Sequence, residues 1–289
     1  MKNKIEYIFF IIFSYLTKIL GLKLSRKFAA VVALFFYFVI PIRKKVVFEN
    51  LALAFPGYSA KEIKKIALGS YKSLAITLME TLYIPYMKKE EMAGVLKCIN
   101  LDLLTKKQNE KKGIILLSAH YGNWEFFVSS IALQINTPLY LLVKPQRNTY
   151  VTEFLNRART RWNNKLIPLG TAVRQVFKVL KENQIVAIAG DQRGNPEGTR
   201  IEFFGRMSSV YSGPAVFALR SGAAIIYSIC VRQPDYSYRV ELTEMPFDDL
   251  PEDENKKVEE ICKRYIKFLE QVIRKNPEQW LWMHKRWKY

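Results

Sequence analysis

The segment Ser118-Ala119-His120-Tyr121-Gly122-Asn123-Trp124-Glu125 follows an apolar run and sets an imidazole and a carboxylate five residues apart. Imidazole is the side chain whose ordinary pKa lets it take and return a proton near neutrality. Five residues on a regular helix is about 140° off register, so the two groups meet only if a turn separates them. Gly122-Asn123 predicts that turn, with Asn123 as N-cap, His120 in the turn and Glu125 in the first turn of the helix that follows. Glu125 is then expected to accept a hydrogen bond from His120 Nδ1–H, fixing the tautomer, while Nε2 takes a proton from a hydroxyl. The sequence has no G-x-S-x-G elbow and no paired cysteine nucleophile, so the hydroxyl is expected to come from a substrate. A turn histidine satisfied by a neighbouring carbonyl has the same spacing, and spacing alone leaves both readings open.

The elements that must position these groups follow from the hydrophobic pattern. Short apolar runs at 114–119, 139–143, 185–189, 224–231 and 240–242 read as strands. Helical patterns fill the gaps at 124–134, 150–162, 172–181, 213–221 and 254–275, and an earlier one covers 60–87 until Pro85 ends it. Strands separated by helices predict an α/β sheet with crossover connections, in which ligands collect beyond the carboxyl ends of the strands. His120 and Asp191 both fall there, and a carboxylate such as Asp191 at a strand end either caps a turn or enters the site.

Ahead of this domain, residues 7–17 and 28–40 carry no charge, with Lys18, Lys23, Arg26 and Lys27 between them and Arg43, Lys44 and Lys45 after. Neither run reaches the roughly 18 apolar residues of a simple spanning helix. Lys2 and Lys4 imitate a signal peptide, but no A-x-A-like cleavage site follows the first run, so retention is expected. Residues 1–45 are therefore read as a membrane-associated helical region and 46–289 as one further domain, the alternative being a pair of buried core helices. With 49% hydrophobic and 13% aromatic residues the 289-residue chain folds. Its net charge of +19, from 45 Lys+Arg against 26 Asp+Glu, implies an anionic partner: nucleic acid, an acidic membrane or a phosphorylated substrate. Cys98, Cys230 and Cys262 read as reduced thiols of a cytoplasmic site, and with only two histidines and no H-E-x-x-H no metal is expected. Trp280, Trp282 and Trp287 read as core or interface aromatics, since no nucleic-acid module surrounds them. Arg147, Arg157 and Arg161 read as a solvated basic face.

Taken in order, several stretches resemble one family. They are Arg43 with Asn50-Leu51-Ala52-Leu53-Ala54-Phe55-Pro56, then His120 to Glu125, Arg157-Ala158-Arg159, Asp191-Gln192, and Gly198-Thr199-Arg200-Ile201-Glu202-Phe203-Phe204-Gly205. Gly213-Pro214-Ala215 and Pro277-Glu278-Gln279-Trp280-Leu281-Trp282-Met283-His284-Lys285-Arg286-Trp287 complete the set. Over nearly the whole chain this combination resembles the bacterial lipid A biosynthesis acyltransferases of the late-acyl type, within the wider lysophospholipid acyltransferase group. The resemblance implies an α/β fold with a mixed sheet flanked by helices and an N-terminal membrane-anchoring region. It implies an inner-membrane enzyme with its site on the cytoplasmic side, using acyl carrier protein or acyl-CoA as thioester co-substrate, an anionic lipid acceptor and no cofactor. His120 and Glu125 are its implied catalytic pair, with Arg159, Asp191, Gln192 and Arg200 at the substrate. Arg159 is expected to hold an acceptor phosphate or orient the reacting hydroxyl. Lys144-Pro145 stands where relatives often have Arg-Pro, and Lys144 keeps the charge while losing the bidentate fork. The rival readings are an acyltransferase for a phosphoinositol mannoside, aminolipid or lysophospholipid, and a non-enzymatic basic protein that binds membrane or nucleic acid.

Overall fold

A computed structural model describes residues 2–288. The chain opens with helices α1 (Lys2–Phe38), α2 (Lys44–Ala54) and α3 (Ala60–Tyr83), followed by a 3-10 turn at Ile84–Tyr86. Then come α4 (Lys89–Gly94), β1 (Leu96–Ile99), α5 (Asp102–Asn109), β2 (Ile114–Ser118), α6 (Trp124–Gln134), β3 (Leu139–Val143), α7 (Thr149–Thr160) and β4 (Lys165–Pro168). The remainder is α8 (Ala172–Lys181), β5 (Ile185–Ala189), the hairpin β6 (Arg200–Phe203) and β7 (Arg206–Ser209), α9 (Gly213–Ser221), β8 (Ala224–Tyr227), β9 (Val231–Arg232), β10 (Tyr238–Glu241), β11 (Thr243–Glu244) and α10 (Glu254–Lys275).

Six strands form the main sheet in the order β11-β8-β2-β5-β3-β4. All its neighbours run parallel except the β11–β8 edge, so the sheet is mixed, as the resemblance implied. Parallel strands must be covered on both faces, and alternate residues divide accordingly. Ile115, Leu117, Val186 and Ile188 pack with Val176 of α8, Phe217 of α9 and Leu269 of α10. Ile114, Leu116, Ile185 and Ala187 pack with Met92 of α4 and with Phe126, Phe127 and Ile131 of α6. Phe126 and Phe127 are fully buried, and truncating such a side chain to Ala ordinarily costs about 3–5 kcal/mol. A three-stranded sheet, β1-β10-β9, lies beside the main one.

Two sequence expectations change in this frame. The run 224–231 is divided between two sheets. After β8 the Ser228 N–H makes one more bond to Leu117 O (3.1 Å), and the chain then leaves to pair Arg232 with Tyr238. The helix expected over 60–87 ends at Tyr83, Pro85 lying inside the 3-10 turn.

α1 joins both uncharged runs into one helix with a break at Gly21, whose φ of 67° and ψ of 170° suit glycine alone. Beyond the break, Ala29, Ala33 and Tyr37 are buried in the same core as Leu51 of α2 and Ile66 of α3. Before it, Tyr7 stacks on Tyr150 (centroids 5.4 Å apart) and Phe10 meets Phe154 edge-on (5.0 Å), so this half lies against α7. Ile5, Phe9, Ile12, Ile19, Phe35 and Phe38 face outward, which makes α1 a membrane-anchor candidate. Anchor and core readings thus apply to different faces of one helix, and the boundary expected at 45/46 falls in the first turn of α2.

Candidate active site

β2 and β5 are parallel neighbours with Ser118 opposite Ala189. Two residues further along each chain stand His120 and Asp191, side by side beyond the carboxyl ends. His120 Nδ1 lies 2.8 Å from Asp191 Oδ1. The other carboxylate oxygen of Asp191, a residue only 2% exposed, accepts the indole N–H of Trp280 at 2.9 Å. Trp280 is brought there by the segment after α10. It bridges Tyr121 in antiparallel fashion, and the Leu281 N–H donates to His120 O at 3.1 Å. Tyr265 of α10 fixes the end of β2 through its hydroxyl to Ser118 O, 2.7 Å.

The turn between strand and helix forms as its residues dictate. Gly122 sits at φ 57°, and a Cβ there would fall 2.1 Å from Cys230 O. Its carbonyl accepts from Thr77 Oγ1 at 2.6 Å. Asn123 caps α6, its side-chain oxygen accepting from the N–H groups of Glu125 (3.1 Å) and Phe126 (2.9 Å). His120 is thereby left in the turn and Glu125 in the first helical turn.

Glu125 does not take the part expected of it. Its carboxylate is gripped by Arg159 of α7, Nε donating to Oε2 at 2.9 Å and Nη2 to Oε1 at 2.5 Å. Asp191, not Glu125, receives the His120 Nδ1 hydrogen bond. The sheet register carries Asp191 to the ring, while the first turn of α6 directs Glu125 to α7. The same fork changes the expectation for Arg159. Nε and Nη2 already hold a carboxylate in the two-pronged manner suited to guanidinium, so the residue does not present that face to a phosphate.

These charges set the protonation states. Burial pushes the His120 pKa down, but the Asp191 carboxylate with its hydrogen bond, and then Glu125, outweigh it, leaving the net value above the ordinary histidine value. Burial raises Asp191, which the His120 charge and the bonds from His120 and Trp280 more than offset, so it stays below the usual carboxylate value. Burial raises Glu125 as well, and Arg159 beside it brings the net value below the ordinary one. The imidazole therefore sits among two ionised carboxylates and one guanidinium, an environment that favours its taking a proton. Trp124 meets its ring edge-on at 5.1 Å between centroids, and 23% of the side chain remains exposed.

Leu141 pairs with Ala187, so Lys144, exposed just past β3, stands on the same rim as Asp191. Gln192 follows Asp191 and is half-buried, whereas Arg200 is exposed at the start of β6. Among the described residues none of these three is hydrogen-bonded to His120, and no group of three or more His, Cys, Asp or Glu side chains is arranged to hold a metal ion. Direct contact of Asp191 with the imidazole and the Trp280 donor went unread in the sequence. The available signal was that His120 and Asp191 each stand two residues past the end of a buried strand.

Residues 2–289 match the family described as bacterial lipid A biosynthesis acyltransferase. The chain is 28% identical over 250 residues to a lipid A biosynthesis palmitoleoyltransferase of Escherichia coli (strain K12), covering 85% of this chain and 79% of the relative. It is 25% identical over 248 residues to a lipid A biosynthesis lauroyltransferase of the same organism, with the same coverage of 85% and 79%. A phosphatidylinositol mannoside acyltransferase of Mycolicibacterium smegmatis is 25% identical over 169 residues, 56% of this chain and 54% of the relative.

Proposed function

Because the chain belongs to the bacterial lipid A biosynthesis acyltransferase family, and is on that ground an acyltransferase, we propose that it moves a fatty acyl group from a carrier thioester to a hydroxyl of a lipid A precursor, at the cytoplasmic face of the inner membrane. Acyl carrier protein is the donor that suits so basic a chain, acyl-CoA the alternative. The non-enzymatic reading gives way to the family, and lipid A relatives align over more of the chain than the mannoside enzyme does.

One observation carries the mechanism: His120 Nδ1 is held by a buried carboxylate, which directs Nε2 to the substrate. His120 Nε2 takes the proton of the acceptor hydroxyl as its oxygen attacks the thioester carbonyl carbon. The tetrahedral adduct collapses with cleavage of the C–S bond, and the imidazolium returns the proton to the departing thiolate. Ester and free thiol are the products, and no acyl-enzyme forms. Asp191 fixes the tautomer and stabilises the imidazolium, as the aspartate of a Ser–His–Asp triad does. Glu125 adds charge from the helix side and is itself held by Arg159. Lys144, Gln192 and Arg200 remain for the acceptor's anionic groups, and the outward apolar face of α1 holds the protein at the lipid.

The test is thioester consumption with folded protein. Wild type releases carrier thiol only when lipid acceptor is present, and His120→Ala loses about 10² to 10⁴ in rate. Near wild-type turnover in that variant would remove the mechanism. Mass spectrometry of lipids from cells lacking and regaining the protein identifies the acceptor.

A further inference from the structure

Beneath the catalytic turn lies a buried polar chain that the reaction above does not use. At its centre is Glu80 of α3, fully buried. Its Oε1 accepts from Arg26 Nε at 2.6 Å, and its Oε2 from Asn123 Nδ2 at 2.8 Å and from the Tyr238 hydroxyl. Tyr238 in turn accepts from Arg232 Nε at 2.8 Å. Arg232 donates to Ser73 Oγ (2.9 Å) and to Thr77 Oγ1 (2.8 Å), the hydroxyl that holds Gly122 O. Both residues of the turn, Gly122 and Asn123, therefore end in one network.

The bond to Asn123 matters most. A side-chain amide has one acceptor and one donor end. Here the oxygen caps α6 at Glu125 and Phe126 while the nitrogen donates to Glu80. Glu80 thus decides which way the amide points, and with it where the first turn of α6 and the preceding His120 stand. A buried carboxylate left unpaired is strongly disfavoured. The cation that touches Glu80 is Arg26, which belongs to α1, five residues past the break at Gly21. Arg232 is hydrogen-bonded to Glu80 through Tyr238 and also feels its charge.

We propose that Glu80 is a positioning residue for acyl transfer, orienting the Asn123 cap and so the His120 turn, and that Arg26 makes this orientation depend on the seating of α1. The inference rests on the acyl-transfer reading for its kinetic part only, since the ring of His120 reports the same effect without turnover.

The experiment uses full-length protein in vesicles of phosphatidylethanolamine and phosphatidylglycerol, with acyl–acyl carrier protein and a lipid A precursor. Glu80→Gln and Asn123→Asp are each expected to lower kcat on the order of 10- to 100-fold, the scale of a small misplacement of catalytic groups, with little change in KM. Combining them exchanges donor and acceptor at the contact with residue 123, though not at the Tyr238 hydroxyl that shares Oε2, and restores part of kcat; this pair also carries the test should Glu80→Gln alone not fold. Arg26→Gln gives a loss of the same order, and adding Glu80→Gln to it brings no further loss. Since the chain has two histidines, ¹⁵N-histidine spectra resolve both rings, and Glu80→Gln moves the His120 ring resonances. Unchanged kcat in folded Glu80→Gln protein, or no recovery in the exchanged pair, overturns the role of Glu80. Losses that multiply in the Arg26 and Glu80 double variant overturn the link to α1. A wild type that transfers no acyl group refutes the function instead, and the ring resonances then decide the positioning role alone.

Discussion

Replacing Asp191 by Asn leaves one carboxamide oxygen for two donors, His120 Nδ1–H and the Trp280 indole N–H, and removes the charge that favours the imidazolium. In a Ser–His–Asp triad that change costs about 10⁴ in kcat, and a loss approaching it is expected here. The pH profile gives a second readout. A general base works unprotonated, so activity rises with pH through the raised pKa of His120, and Asp191→Asn moves that limb to lower pH. A limb that stays in place would show that Asp191 is not the partner of the base. Arg159→Lys keeps one charge and loses the fork to Glu125. Its loss in kcat/KM should therefore be equal on phosphorylated and dephosphorylated acceptors; a loss confined to the phosphorylated one would return Arg159 to the substrate. What could be read at this scale was local. Gly122, Asn123 and Glu125 lie within one turn, and their conformations follow from their own residue types. The partner of His120 is 71 residues away, and nothing in the residues around the imidazole points to it.

Among the elements, α1 has the most to lose. Its buried residues Ala29, Ala33 and Tyr37 cover core shared with α2 and α3, so deleting residues 1–40 exposes apolar surface rather than freeing a soluble enzyme. The truncated protein is expected to aggregate and to lose its cooperative thermal transition, as size-exclusion chromatography and a melt would record. A monodisperse fragment melting with the full chain would contradict this. Long helices and wholly buried strands were legible because their periodicity is sustained, as in α6, α10 and β5. The hairpin β6–β7 and the strands β9 and β11 were not, since two to four residues with polar neighbours carry too little pattern. The run 224–231 misled for another reason: apolar but for Ser228, it serves two sheets.

For the whole molecule, a net charge of +19 and an outward apolar ridge on α1 give two independent attractions to an anionic bilayer. At about 1 M salt the screening length falls to roughly 3 Å and the first is removed. Full-length protein should still sediment with phosphatidylglycerol vesicles under those conditions, and its release would leave charge as the sole anchor. The α/β class was legible from the alternation of strands and helices, whereas the sharing of a core between α1 and the sheet was not, because it depends on contacts between distant segments. The donor that Trp280 lends to Asp191 has a consequence in time. Synthesis delivers α1 first, then every strand of the sheet, and only afterwards the segment that carries Trp280. A nascent chain that already holds α1 and every strand thus still lacks one of the hydrogen bonds of Asp191, and its site is completed only when the segment after α10 arrives.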